Sequence, residues 1–265
     1  MISGVDVSQW QGVIDWPTVK RAGYQFALIR ATVGMQEDTT FKQNWTGAKA
    51  AGLAVGAYHF AYDNVTPADQ QADFFHSTVV AAGLEPGDLA ALDMEVAEAG
   101  VPTRPWNNEF LGHAGAAFGC PLLDYSDLSF LEGQIGAEPG NNGLWLAEWT
   151  ATMPATPAGW PFIAVWQHTN AGAVAGINGR VDLDFFNVAD MDHLLAYGYQ
   201  GHIPPPVPSP VPPAPAPPAP VPAPSAGDYI VRPGDYLSAI AWAHHCTLQQ
   251  LESINPQILN PNLIY

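Results

Sequence analysis

Residues 89–96 read Leu-Ala-Ala-Leu-Asp-Met-Glu-Val. An unbroken apolar run of this length fits a strand buried on both faces. It ends in two acids spaced i, i+2. Side chains two apart on a strand share a face, so Asp93 and Glu95 point the same way. A solvated strand end is the plain alternative. The apolar residues directly before the pair argue for burial, and crowded carboxylates need chemistry or partners to offset their cost.

Similar runs recur on either side. The patterning predicts strands near 4–9, 26–32, 54–62, 121–126, 143–149, 162–168 and 181–186. Helices are expected over 15–23, 41–52, 68–83 and 105–118. Ala72, Phe75, Val79 and Ala82 fall at helical spacing, and Asp15-Trp16-Pro17 suits an N-cap followed by a first-turn proline. Strand–helix alternation implies βαβ units and hence a parallel sheet or barrel. Residues 150–161 and 169–180 are rich in Gly, Pro, Ala and Thr and read as loops. The fold class expected is therefore α/β, an irregular TIM-like (β/α)5(β)3 barrel with few helices around its last strands.

In such a barrel the C-terminal strand ends carry the site. Asp6 lies in the first strand; Asp182 and Asp184 lie in the last, which closure makes its neighbour. Together with Asp93 and Glu95, these acids would converge on one cleft. Glycoside hydrolysis needs that constellation: a protonated acid for the leaving oxygen and a carboxylate for developing positive charge. Crowding raises one carboxyl towards neutral pH. Tyr58 and Tyr62, Trp145 and Trp149, and Trp166-Gln167-His168 would add aromatic surface for sugar C–H faces. Tyr62, Trp149, Trp166 and Gln167 are expected at the substrate, with Asp184; Trp145 reads better as core. His59 and His168 lack metal-ligand spacing, so no metal and no cofactor are expected.

The wider composition narrows the partners. The 265 residues carry a net charge of −17, with only eight Lys plus Arg. No basic face for a nucleic acid is available, and no 18-residue apolar window suggests membrane insertion. Residues 204–225 are so proline-dense that polyproline II is expected, a spacer of roughly 70 Å at about 3.1 Å per residue. Cys120 and Cys246 flank that spacer and read as reduced thiols. The N-terminus reads as a strand rather than a signal peptide, so synthesis in the cytoplasm is expected.

Ordered motifs carry a resemblance. Gly-Val-Asp-Val-Ser-Gln-Trp-Gln-Gly (4–12), Ala-Thr-Val-Gly (31–34), Gly-Ala-Tyr-His-Phe-Ala-Tyr (56–62) and Leu-Asp-Met-Glu-Val (92–96) come first. Leu-Trp-Leu-Ala (144–147), Val-Trp-Gln-His (165–168) and Val-Asp-Leu-Asp-Phe-Phe (181–186) follow. Residues 1–200 thereby resemble glycoside hydrolase family 25, the Chalaropsis-type lysozymes. The resemblance implies cleavage of the β-1,4 bond between N-acetylmuramic acid and N-acetylglucosamine in peptidoglycan. It implies Glu95 as general acid and Asp6, Asp93 and Asp182 as the other active-site acids. Arg30 and Val33 stand where the family often has Lys and Glu, and Trp149 and His168 where Tyr is common.

Residues 228–265 resemble a LysM peptidoglycan-binding module, implying a small βααβ fold that stops short of the usual final residues. Residues 201–227 form the Pro/Ala-rich linker. A muramidase with a wall-binding module and no leader looks like a bacteriophage endolysin, which reaches the wall once the membrane is permeabilised. A monomer acting on glycan strands is expected. A bacterial autolysin, a catalytically inactive wall-binding protein and a chitinase are the competing readings. The acids at every motif position oppose the second, and the missing Asp-x-x-Asp before Asp93 opposes the third.

Overall fold

The computed structural model describes residues 1–201 apart from 64–65, 98–99 and 138–141, together with Leu251, Ile254 and Asn255. The chain divides into two units, Met1–Pro208 and Ser209–Tyr265. The linker expected at 201–227 (Gly201 aside) and all but those last three residues of the module expected at 228–265 lie outside the described residues. Nearly all of the described residues belong to the first unit.

Its strands are β1 (Ile2–Val7), β2 (Phe26–Val33), β3 (Gln36–Glu37), β4 (Ala54–Phe60), β5 (Leu89–Asp93), β6 (Leu123–Asp127), β7 (Gly143–Ala147), β8 (Ile163–Gly172) and β9 (Val181–Phe186). The order is β1-β9-β8-β7-β6-β5-β4-β2-β3, with β1 also paired to β2. Apart from the β3 hairpin, the sheet closes into an eight-stranded barrel. The helices are α1 (Trp16–Arg21), α2 (Phe41–Ala50), α3 (Ala68–Ala81), α4 (Thr103–Phe118), α5 (Leu128–Phe130), which runs into a π turn over Leu131–Ile135, and α6 (Met191–Tyr197).

Period two along each strand sorts side chains into two cores. Inside the barrel pack Phe26, Leu28, Tyr58, Leu89, Ala91, Leu123, Tyr125, Trp145 and Phe186. Phe26 and Phe186 meet edge to face at 5.8 Å and plug the lower end. A Cβ on Gly4 would lie 2.4 Å from the Phe26 ring, so only glycine fits opposite it. Outside, Val5, Ile29, Val55, Leu92 and Leu146 pack against the helices. Trp45 of α2 and Phe75 of α3 are fully buried there; burying a side chain of that size contributes about 2–3 kcal/mol. Asp15 caps α1, accepting from Thr18 N at 3.2 Å, with Pro17 in the first turn. Pro105 of α4 likewise falls in a first turn, where the N–H it lacks has no intrahelical partner.

Beyond the short β3 and α5 segments, three features differ from the sequence patterning. The last strand runs antiparallel to both neighbours, β8 and β1. The connection over 173–180 is too short for a crossover helix, so the chain returns as a hairpin. β8 reaches Gly172, through residues that read as a loop; pairing of Thr169 with Leu183 and Gly172 with Val181 makes them strand despite their polar side chains. Helix α6 was not expected: Asp190 caps it by accepting from His193 N at 3.1 Å.

Candidate active site

Register places the acids. Asp6 of β1 sits directly opposite Asp182 of β9, and Gly4 opposite Asp184. All three acids take inward-facing positions. Asp93 ends β5, and Glu95 follows it on the same side, past the last strand residue. Asp6, Asp93, Glu95 and Asp182 line one open cleft of about 480 Å³ at the C-terminal ends of the parallel strands.

Hydrogen bonds fix the floor. Gln167 Nε2 donates to Asp6 Oδ2 at 2.8 Å, while Gln167 Oε1 accepts from Trp149 Nε1 at 3.2 Å and from the Tyr125 hydroxyl at 3.4 Å. Trp145 Nε1 donates to Asp184 Oδ1 at 2.9 Å. Arg30 reaches the cleft wall, with Nε 2.9 Å from Asp38 Oδ2. Asp38 also accepts from Gln9 N and Thr40 N, so that guanidinium is fixed in place.

The electrostatics follow from this crowding. Burial pushes Asp6 well above the carboxylate range, and Asp184 and Asp182 push the same way, while the Gln167 bond opposes. Burial raises Asp184 to about 7 and Asp182 to about 6; the Trp145 hydrogen bond and then the neighbouring Asp6 oppose the rise at Asp184, and Asp6 opposes it at Asp182. Asp93 is driven well up by burial and then by Glu95, with Arg30 opposing. Its buried Oδ1 has no hydrogen-bond partner among the described residues. Glu95, at the open mouth, is raised by the surrounding protein first and then by Asp127 and Asp182. This is an environment for a carboxyl that keeps a proton while its neighbours lose theirs.

The aromatics named from sequence separate. Trp149 is 58% exposed and lines the cleft. Trp166 does not line it. Adjacent strand residues alternate faces, and because Gln167 points inward Trp166 points out. There its Nε1 donates to Glu148 O at 2.7 Å and the ring packs against Phe185. Tyr62 lies beyond the end of β4 with its ring edge on Phe60, and Phe60 is the residue at the cleft. Asp184 sits fully buried below the lining.

His59 lies in the outer layer. Its Nε2 donates to Gln71 Oε1 at 2.9 Å, its Nδ1 accepts from Thr32 Oγ1 at 2.7 Å, and its ring stacks on Phe110 at 4.9 Å. Burial lowers it to about 4, so it is a neutral packing group. Among the described residues no cluster of His, Cys, Asp or Glu could hold a metal ion. Cys120 is a free, buried thiol that burial pushes up to about 11.

Sequence reasoning missed Trp10, Tyr125, Asp127 and Arg180. For Tyr125 and Asp127 the period-two rule along 123–127 was available. Trp10 stood in the 4–12 motif without a role of its own, and nothing in the local pattern marked Arg180; each sits just outside a strand.

The glycosyl hydrolases family 25 model matches residues 5–177, and the LysM domain model matches residues 229–265. Lysozyme M1 of Streptomyces globisporus is 35% identical over 199 residues, covering 70% of this chain and 68% of its own. The crystal structure of the bacterial lysozyme from Streptomyces coelicolor superposes with a TM-score of 0.67 at 34% identity, covering 75% of this chain and 97% of its own. The CTP1L endolysin structure gives 0.63 at 30% identity, covering 74% and 69%.

Proposed function

Since this chain belongs to glycosyl hydrolase family 25, we propose how its cleft carries out that family's reaction and where the protein acts. The chain is a muramidase, a glycoside hydrolase that cleaves peptidoglycan between N-acetylmuramic acid and N-acetylglucosamine. Its LysM segment adds binding to the same glycan.

Glu95 gives its proton to the glycosidic oxygen as the bond to C1 breaks. Asp93 accepts from the N–H of the 2-acetamido group. The carbonyl oxygen of that group then attacks C1 as an internal nucleophile, the substrate-assisted variant of glycoside hydrolysis. Glu95, now ionised, takes a proton from the water that opens the cyclic intermediate. Asp6 and Asp182 hold negative potential against the charge developing at C1. The observation carrying this reading is the Asp93–Glu95 pair itself. It sits at one strand end, with a buried unpartnered oxygen on Asp93 that a substrate N–H would satisfy, and a Glu raised by its surroundings. Mass spectrometry of products from purified peptidoglycan tests it: fragments with muramic acid at the reducing end are expected, and glucosamine reducing ends would overturn it. An NMR time course must show retained anomeric configuration; initial inversion would rule out the internal nucleophile.

We further propose the endolysin mode of action: a monomer made in the host cytoplasm that reaches the wall when the membrane opens. The similarity to the CTP1L endolysin supports this. Expression in a host should be tolerated until the membrane is permeabilised and should then cause lysis. Controlled wall turnover without permeabilisation would favour an autolysin.

A further inference from the structure

The reaction above uses the acids on the cleft floor and leaves the cationic rim unassigned. Two arginines line the cleft, Arg30 and Arg180. Arg30 is committed to Asp38 at 2.9 Å. Arg180 is exposed, and its guanidinium has no ion pair or side-chain hydrogen bond among the described residues. Asp182 is only two residues along the chain, yet its charge answers to burial and to Asp6, not to Arg180. In a chain of net charge −17, a cation beside a cleft of carboxylates would be expected to pair with one of them. This one does not, so it is available to a ligand.

An aromatic platform stands beside it. Trp10 lies in the 3-10 turn Gln9–Gln11, lines the cleft and is 77% exposed. Gln11 Nε2 donates to the Arg180 carbonyl at 3.4 Å and ties that turn to the entry of β9. The indole and the guanidinium thus belong to one stretch of rim. An exposed indole face suits the C–H face of a sugar, and a free guanidinium suits a carboxylate bidentately.

We propose that Trp10 and Arg180 form a rim subsite for a glycan residue bearing a carboxylate. Trp10 takes the sugar face and Arg180 the acid. On peptidoglycan that carboxylate belongs either to the lactyl group of muramic acid or to the stem peptide. The proposal rests on the muramidase reading and assigns it a determinant of substrate charge.

The test is steady-state kinetics of the full chain on soluble glycan oligomers of three kinds: stem peptides intact, stem peptides removed to leave free lactyl carboxylates, and all carboxylates amidated. The unaltered protein should show kcat/KM roughly tenfold higher on an acidic oligomer than on the amidated one, the size expected of one charge-assisted hydrogen bond. The difference should lie in KM and weaken with added salt. In Arg180→Ala the preference should collapse towards unity, and Arg180→Lys should restore part of it. Preference for the peptide-free acid identifies the lactyl group; preference for the peptide-bearing one identifies the stem. A preference that survives in Arg180→Ala, or none in the unaltered protein, overturns the subsite while leaving the muramidase reading intact. Failure of the unaltered protein to cleave any of the three would instead overturn that reading.

Discussion

Gln167 and Asp6, 161 residues apart in the chain, are joined by a 2.8 Å hydrogen bond across the barrel floor. The same amide oxygen accepts from Trp149 Nε1. One side chain thus orients a core carboxylate and steadies an exposed ring at the mouth. Replacing it releases both. Gln167→Ala should lower kcat/KM by roughly 10- to 100-fold, the range for slight misplacement of catalytic groups. Circular dichroism should show the barrel retained, and Trp149 fluorescence should become more quenchable. Unchanged kinetics would separate Gln167 from positioning.

Glu95→Gln should cost at least about 100-fold in rate, because it removes the proton donor while keeping the shape. A folded variant lysing walls at a near-normal rate would remove Glu95 from that role.

Asp127 provides a test of how Glu95 keeps its proton. Sequence alone placed Asp93 beside Glu95 as its charged neighbour. The structure gives burial first, then Asp127 and Asp182. A general acid works only while protonated, so activity falls as pH rises through its pKa. Asp127→Asn keeps a side-chain oxygen for capping Phe130 N, which Asp127 now accepts at 3.0 Å, but removes the charge. The alkaline limb of the kcat profile should move to lower pH. A limb that stays in place would show that burial alone sets it.

The buried acids should also shape stability. Asp184, raised from 3.8 to about 7, binds a proton in the folded state that the unfolded chain has lost between those values. Stability from this group therefore falls as pH rises across that window. His59, lowered from 6.5 to about 4, acts oppositely and loses stability as pH falls between those values. The melting temperature should peak in mildly acidic buffer. Asp184→Asn, which can still accept from Trp145, should flatten the decline towards pH 8. An unaltered slope would place the effect elsewhere.

Removing residues 204–265 should leave hydrolysis of short soluble glycans nearly unchanged and weaken lysis of intact walls by roughly 10- to 100-fold, as loss of a tether does. Loss of activity on soluble oligomers would show the two units to be interdependent.

The barrel was legible because buried parallel strands write themselves as continuous apolar runs. Asp6, Asp93 and Asp182 were legible for the same reason: an acid interrupting such a run needs explaining. The direction of β9 was not, since a strand's pattern has no polarity and only the short 173–180 connection fixes it. Trp166 misled because aromatic character says nothing of face, and only Gln167 beside it decides. Arg180 and Trp10 sit in turns, where neither period applies, so patterning gave them no role.

Closure by β9 also has a consequence for how the protein comes into being. Synthesis runs from the N-terminus, and nascent segments can begin to fold as they emerge. Asp6 is made early, but the strand that supplies Asp182 and covers the free edge of β1 is made about 180 residues later. Until residue 186 leaves the ribosome, β1 carries an open hydrogen-bonding edge and the cleft lacks one wall. The growing chain is therefore an unarmed enzyme throughout most of its translation, and the step that protects its last sticky edge is the same step that completes its active site.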